Sequence, residues 1–309
     1  MAIYHCSTKP VSRGVGHSAC AGSAYQSGEK IKDERTGITH DYERKQGVMY
    51  SEVISNLNIE IGRSELWNLA ESSENRKDAR TAREWIIALP HELDQDKRQT
   101  LAKDFAQSLV DRYGVVADLA IHEPSKQGDE RNFHAHILVT TRKASLNAEN
   151  ELILGDKTNI ELSNAKRSTL GLGSTQNEIK EVRAIWADLN NQFFQKAGLK
   201  EKVDHRSYQE QGKNIEATVH EGKAVTQLRR QGIDTEISLF NDRVKQERLQ
   251  HPKLLDSEQS KFIEQGMNRV DEMLKMFKQR QIDEKAEQEQ QVKPKEKNKE
   301  KNDDRGFSL

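Results

Sequence analysis

At 309 residues the chain has room for one large domain or two ordinary ones, and with 34% hydrophobic residues and a mean hydropathy of -0.91 some of that length packs no core. Although 32% of residues are charged, the formal net charge is -1, which argues against indiscriminate nucleic-acid binding while leaving local patches open. The two cysteines, Cys6 and Cys20, exclude a disulfide framework; with no apolar run of membrane-spanning length and no signal-peptide core, the expectation is a soluble protein of a reducing cytoplasm.

The opening AIYHCST predicts a short strand ending near Pro10. VSRGVGHS reads as a loop, and SACAGSAYQSGEK, rich in small residues, as a helix. GITHDYERKQGVMYSEVIS alternates well enough for a hairpin-like pair of strands, and Ser64 is placed to cap a helix carrying Leu66, Trp67, Leu69 and Ala70. REWIIALP predicts a buried strand stopped by Pro90. Asp94 then caps a helix whose stripe is Leu101, Phe105, Leu109 and Tyr113, with Gly114 at its end. VVADLAIH is a strand, PSKQGDERN a polar loop, and FHAHILVTT another strand.

This order predicts an α+β fold, a two-layer sandwich with a mainly antiparallel central sheet and helices on one face. Phe133, Ala135, Ile137 and Val139 should pack against those helices, leaving His134 and His136 on the open side. GLGSTQNE leads into a helix with Ile179, Val182, Ile185, Trp186, Leu189 and Phe193 on one stripe, ending at Gly198. DHRSYQEQGKNIEATVHEG is polar and irregular. From about residue 235 the pattern is helical again, with Phe262, Gly266, Val270, Met273 and Phe277 at helical spacing, and from 283 onward it is low-complexity and expected to be disordered.

RNFHAHILVTTR puts two histidines on one face of a strand. His122 ends the preceding strand, so antiparallel pairing would bring His122, His134 and His136 within reach of one ion. Three neutral imidazoles with open positions suit a catalytic metal site, and three exposed or internally satisfied histidines are the plainer alternative. Such a triad serves a hydrolase as well as a phosphodiesterase, so a nucleophile must decide. Tyr25 lies among small residues that let a large ligand approach. A free phenol, with a pKa near 10, is about one part in a thousand ionised at neutral pH, a deficit of roughly 4 kcal/mol, so a tyrosine nucleophile needs a base or a nearby metal.

The blocks AIYHCSTKPVSRGVGHSACAGSAYQSGE, AREWIIALPHEL, AIHE…RNFHAH and DHRSYQEQG, in that order and spacing over residues 1 to about 235, closely resemble the MobA/MobL family of plasmid mobilisation relaxases, including the N-terminal part of TraA-type proteins. The resemblance implies the HUH-type relaxase fold and a nickase domain over 1–235; beyond it the sequence pattern itself reads as a helical extension over 236–282 and a disordered charged tail over 283–309. It also implies site- and strand-specific nicking of DNA at a plasmid origin of transfer. Tyr25 matches the nucleophile that forms a 5′-phosphotyrosine link. His122, His134 and His136 match the metal-binding triad, for Mg²⁺ or Mn²⁺, with imidazole better suited to Mn²⁺ or softer ions. Glu84 matches an acidic position and could accept the Tyr25 proton or hold a ligating histidine in its tautomer. Where relatives often carry proline before the histidine pair, this chain has Phe133, a departure that touches the loop rather than the ligands.

Rolling-circle replication initiators share the histidine pair, but their tyrosine follows it, whereas Tyr25 precedes it. A non-catalytic DNA-binding accessory protein of the transfer complex is the alternative from another class. For DNA contacts, His40, Tyr42, Arg44 and Lys45 form one basic and aromatic group, and His205, Arg206 and Tyr208 a second; Lys9 and Arg13 are weaker candidates. The partners implied are single-stranded or supercoiled origin DNA, a type IV secretion coupling protein and accessory relaxosome proteins. DDRGFSL resembles the termini of proteins exported by type IV secretion, which predicts translocation to a recipient cell with the transferred strand.

Overall fold

In the computed structural model the first strand, β1 (Cys6–Ser12), runs through Pro10 instead of ending at it. The structure describes residues 3–250, apart from 125–128, 214, 215 and 220. The helical pattern expected over 262–277 and the low-complexity stretch from 283 lie outside the described residues. In chain order β1 is followed by α1 (Ala19–Ser27), β2 (Lys30–Lys32), β3 (Thr39–Asp41), β4 (Val48–Ile54), α2 (Arg63–Ser72), β5 (Arg80–Ala88) and α3 (Gln95–Tyr113). Then come β6 (Ala117–His122), β7 (His134–Thr140), β8 (Arg142–Leu146), β9 (Leu152–Lys157), α4 (Asn164–Thr169), α5 (Thr175–Lys196), α6 (Gly222–Arg230) and α7 (Glu236–Gln250). No helix among the described residues is long and apolar enough to cross a membrane.

The central sheet has the order β1-β5-β7-β6-β4, and every pairing in it is antiparallel. This is the α+β architecture expected. Pro10 is tolerated because β1 is an edge strand, where a missing N–H breaks no ladder on the free side. The stretch expected to form one hairpin divides instead: β3 pairs with β2 in a separate ribbon, and β4 joins the sheet beside β6. Ile54 and Val53 of β4 pack into apolar clusters on opposite faces, burial that a short isolated ribbon could not provide.

Local signals fix the helix ends. Asp94 caps α3 by accepting from the Lys97 N–H at 2.8 Å, and Gly114 ends it in the left-handed conformation, φ 64°. Ser18 caps α1, and Gly28 ends it at φ 72°. Helix α2 starts one residue before Ser64, with Gly62 at the cap, which brings Arg63 into the helix where its guanidinium reaches the buried Asp118 at 2.8 Å.

Helices α3 and α5 cover the face bearing Ala135, Ile137 and Val139, with Trp85, Phe105 and Trp186 fully buried between layers. Trp85 meets Phe105 edge-on at 6.4 Å, and Phe105 meets Trp186 at 5.0 Å. The other face was expected to be open, yet α1 and α2 lie across part of it. Val11, Ala82 and Leu138 on that face pack with Ala19, Cys20, Ala24, Leu66 and Trp67. The small residues of α1 allow this close approach, which the strand pattern alone could not reveal. The β8–β9 hairpin and α4 and α6 are further elements that the periodicity did not indicate.

Candidate active site

The register of the sheet assembles the three histidines. His122 pairs directly with His134 across β6 and β7, and His136 follows two residues along the same face, opposite Ala120. Ring centroids lie 5.3 Å apart for His122–His134, 4.9 Å for His122–His136 and 5.3 Å for His134–His136. One nitrogen from each ring lies within 4.8 Å of the others, close enough to share an ion.

Hydrogen bonds set the tautomers. His122 Nε2 lies 2.7 Å from the carbonyl oxygen of Gln26, which only accepts, so Nε2 carries the proton and Nδ1 keeps its lone pair. By the same reasoning, His134 Nδ1 donates to the Asn132 carbonyl at 3.0 Å and His136 Nδ1 donates to Glu84 Oε1 at 2.7 Å, freeing both Nε2 atoms. Each ring thus has one anchored N–H and one free lone pair, the pattern of metal-ligating histidines with their outer hydrogen bonds in place. Burial pushes His122 down to about 4, and Lys45 and the other two imidazoles add to the effect. Burial also lowers His134. Both are neutral near pH 7, as metal ligation requires. The donor set fits a divalent ion of the imidazole-binding kind.

Glu84 supports this triad from β5. It is 5% exposed, and Oε1 accepts from both His136 and the Gln26 side-chain amide, each at 2.7 Å, while Oε2 pairs with Lys9 at 2.9 Å. Burial works to raise its carboxyl, but the donors His136 and Lys9 outweigh it and hold the group below the usual carboxylate range.

Tyr25 stands on α1 with half its surface exposed. Its ring is flanked by Tyr42, edge-on at 5.3 Å, and by the Lys45 ammonium, 3.8 Å from the ring centroid. Lys45 also donates to the Tyr25 carbonyl at 2.5 Å. Tyr25, Gln26, Glu84 and His136 all line one cleft of about 550 Å³. Lys9, Arg13, Arg35 and Lys77 line it as well, outnumbering the acidic Asp33 and Glu84, so that the cleft carries a surplus of cationic side chains beside Tyr25 and His136. That combination suits an anionic, phosphate-bearing ligand.

The sequence-derived residues divide into two sets. Tyr25, Glu84, His136 and His40 line the cleft, His122 and His134 adjoin it through His136, Tyr42 and Lys45 pack on Tyr25, and Arg44 is exposed on the adjoining loop. His205 and Arg206 do not join them. Their segment lies beside α5, on the far face of the sheet, where Val203 is bonded to Asn191 and Arg206 is engaged by Asp204 at 2.8 Å. Arg13 also lines the cleft, with its guanidinium held by Glu71 and by main-chain carbonyls. Gln26, Arg35, Lys77 and Asp118 escaped the sequence reading. For Gln26 the available signal was its position next to Tyr25.

Residues 17–231 match the model of the MobA/MobL family. The mobilization protein MobL of Acidithiobacillus ferridurans is 36% identical over 253 residues, covering 74% of this chain and 64% of that protein. The conjugal transfer protein TraA of Agrobacterium fabrum is 31% identical over 259 residues, covering 77% of this chain and 23% of that protein. This chain therefore spans somewhat under two thirds of the one relative and about a quarter of the other. A solved structure described as "Molecular Basis of Vancomycin Resistance Transfer in Staphylococcus aureus" aligns over its full length and 67% of this chain, with 36% identity and a TM-score of 0.54.

Proposed function

Since the chain belongs to the MobA/MobL family, we propose that it is a DNA relaxase that nicks and religates one strand at a plasmid origin of transfer. The observation that carries this reading is the cleft itself, where the exposed Tyr25 and His136, one member of the preset histidine triad, share one surface with Lys9, Arg35 and Lys77. Tyr25 Oη attacks the scissile phosphorus and loses its proton, the P–O3′ bond breaks, and the leaving oxygen becomes a free 3′-OH. The 5′-phosphotyrosine conserves the phosphodiester energy, so attack by a 3′-OH reverses the step.

His122, His134 and His136 would hold a divalent ion, Mg²⁺ or Mn²⁺, with three imidazoles favouring Mn²⁺. When bound it supplies positive charge to a non-bridging phosphate oxygen. Lys45 holds Tyr25 from both its carbonyl and its ring face and places an ammonium next to the reacting group. Glu84 acts by orienting His136. With three donors on its carboxylate and a proton affinity below the usual range, it is a poor acceptor for the phenol proton. Lys9, Arg35 and Lys77 take the phosphates that flank the scissile one. The nickase domain is assigned to residues 1–235, and a coupling protein and accessory DNA-binding proteins are the partners such an activity calls on.

The test incubates the full chain with supercoiled origin plasmid and Mn²⁺, adds detergent and protease, and resolves the products. The expected result is open circles with a blocked 5′ end, abolished by chelator. Intact supercoils under every divalent ion, or nicking undiminished by chelator, would count against the reading.

A further inference from the structure

Helix α1 ends with carbonyls that have no partner within the helix, and the way they are satisfied ties the Tyr25 segment to the histidines. The Ala24 carbonyl accepts from Gly28 and Glu29 in the closing turn. The Tyr25 carbonyl accepts from Lys45 and the Gln26 carbonyl from His122 Nε2–H. The dipole of the helix end, negative here, favours such donors. Gln26 is 6% exposed, and its side chain turns the other way, donating to the Glu84 oxygen that also accepts from His136. One residue therefore touches two histidine anchors at once: its backbone sets the tautomer of His122, and its amide helps fix the carboxylate that sets His136.

We propose that Gln26 is a positioning residue that couples the helix carrying Tyr25 to the metal triad, so that the placement of the nucleophile and the readiness of the site to take a metal are one property. This rests on the metal-site reading above. A shift of α1 toward or away from the sheet changes the His122–Gln26 bond and the Gln26–Glu84 bond together. Two of the three ligands then lose their preset orientation. Gln26→Leu keeps the volume and the backbone carbonyl but removes the amide, which leaves Glu84 with His136 and Lys9 as donors and a looser carboxylate.

The experiment measures Mn²⁺ affinity calorimetrically in the full chain, without DNA, for wild type, Gln26→Leu and Tyr25→Phe. Gln26→Leu should weaken binding roughly 10- to 100-fold, as loss of an outer-sphere partner does. Tyr25→Phe should bind Mn²⁺ like wild type, because the phenol is no part of the triad. Unchanged affinity in Gln26→Leu, with wild type binding well, would overturn the coupling alone. No Mn²⁺ binding by wild type would overturn the metal-site reading together with it. Imidazole ¹⁵N spectra of the metal-free wild type add a test that needs no variant. They should show His122 as the Nε2–H tautomer and His134 and His136 as Nδ1–H. The Nδ1–H form at His122 would mean that the Gln26 carbonyl does not hold it, and the coupling would fall.

Discussion

His136 Nδ1 donates to Glu84 Oε1 at 2.7 Å across two paired strands. Glu84 stands opposite Leu138 and His136 opposite Ile86, so the two are diagonal neighbours on one face, a spacing that long side chains bridge. The bond sets which nitrogen of His136 is free, and it explains why an acidic residue sits buried in a strand at all.

That bond makes the first prediction. Glu84→Gln keeps the shape but replaces the carboxylate with a weaker acceptor and leaves Lys9 without its partner. Mn²⁺ affinity measured by calorimetry should fall by roughly 10- to 100-fold. Thermal stability should change far less than it would for a core truncation.

Asp118 is the second buried carboxylate on this face. It accepts from Ser23 at 2.6 Å, Trp67 at 2.9 Å and Arg63 at 2.8 Å, pinning α1 and α2 to β6. Burial raises its carboxyl against the pull of Arg63 and the two other donors. Asp118→Ala leaves a largely buried guanidinium without this partner and should cost about 3 kcal/mol. Melting should drop by about 6–12 °C in a calorimetric scan. An unchanged melting temperature would show that the network does not hold α1 in place.

Away from the cleft, Asp188 on α5 is pushed up to about 6, by burial first and then by Asp204. A carboxyl that binds its proton more tightly folded than unfolded opposes folding once ionised. Its stabilising effect is complete below the ordinary value of 3.8 and is lost as pH rises through about 6. Asp188→Asn should therefore raise stability at pH 7.5 by about 1–2 kcal/mol, allowing for partial solvent screening. The gain should vanish below about pH 4, as denaturant melts at the two pH values would show.

The parts of this site legible in sequence were those set by short-range rules. Alternation put His134 and His136 on one face, and the end of the neighbouring strand placed His122. Asp94 and Gly114 marked the ends of α3. What escaped depends on where α1 lands against the sheet, which no periodicity encodes. Gln26 gains its role only because its carbonyl meets His122 and its amide meets Glu84. Nor could the segment alone show whether residues 39–41 pair with 48–54 or with 30–32. His205 and Arg206 carried suitable chemistry, but the chain returns them beside α5.

The central claim is that Tyr25 forms the covalent bond to DNA, and one measurement tests it most directly. The full chain is incubated with an origin oligonucleotide and Mn²⁺, digested with nuclease and trypsin, and its peptides are sequenced by mass spectrometry. A nucleotide 5′-phosphate attached to Tyr25, absent from Tyr25→Phe, is the predicted result. A nucleotide on another residue, or an adduct undiminished in Tyr25→Phe, would contradict it.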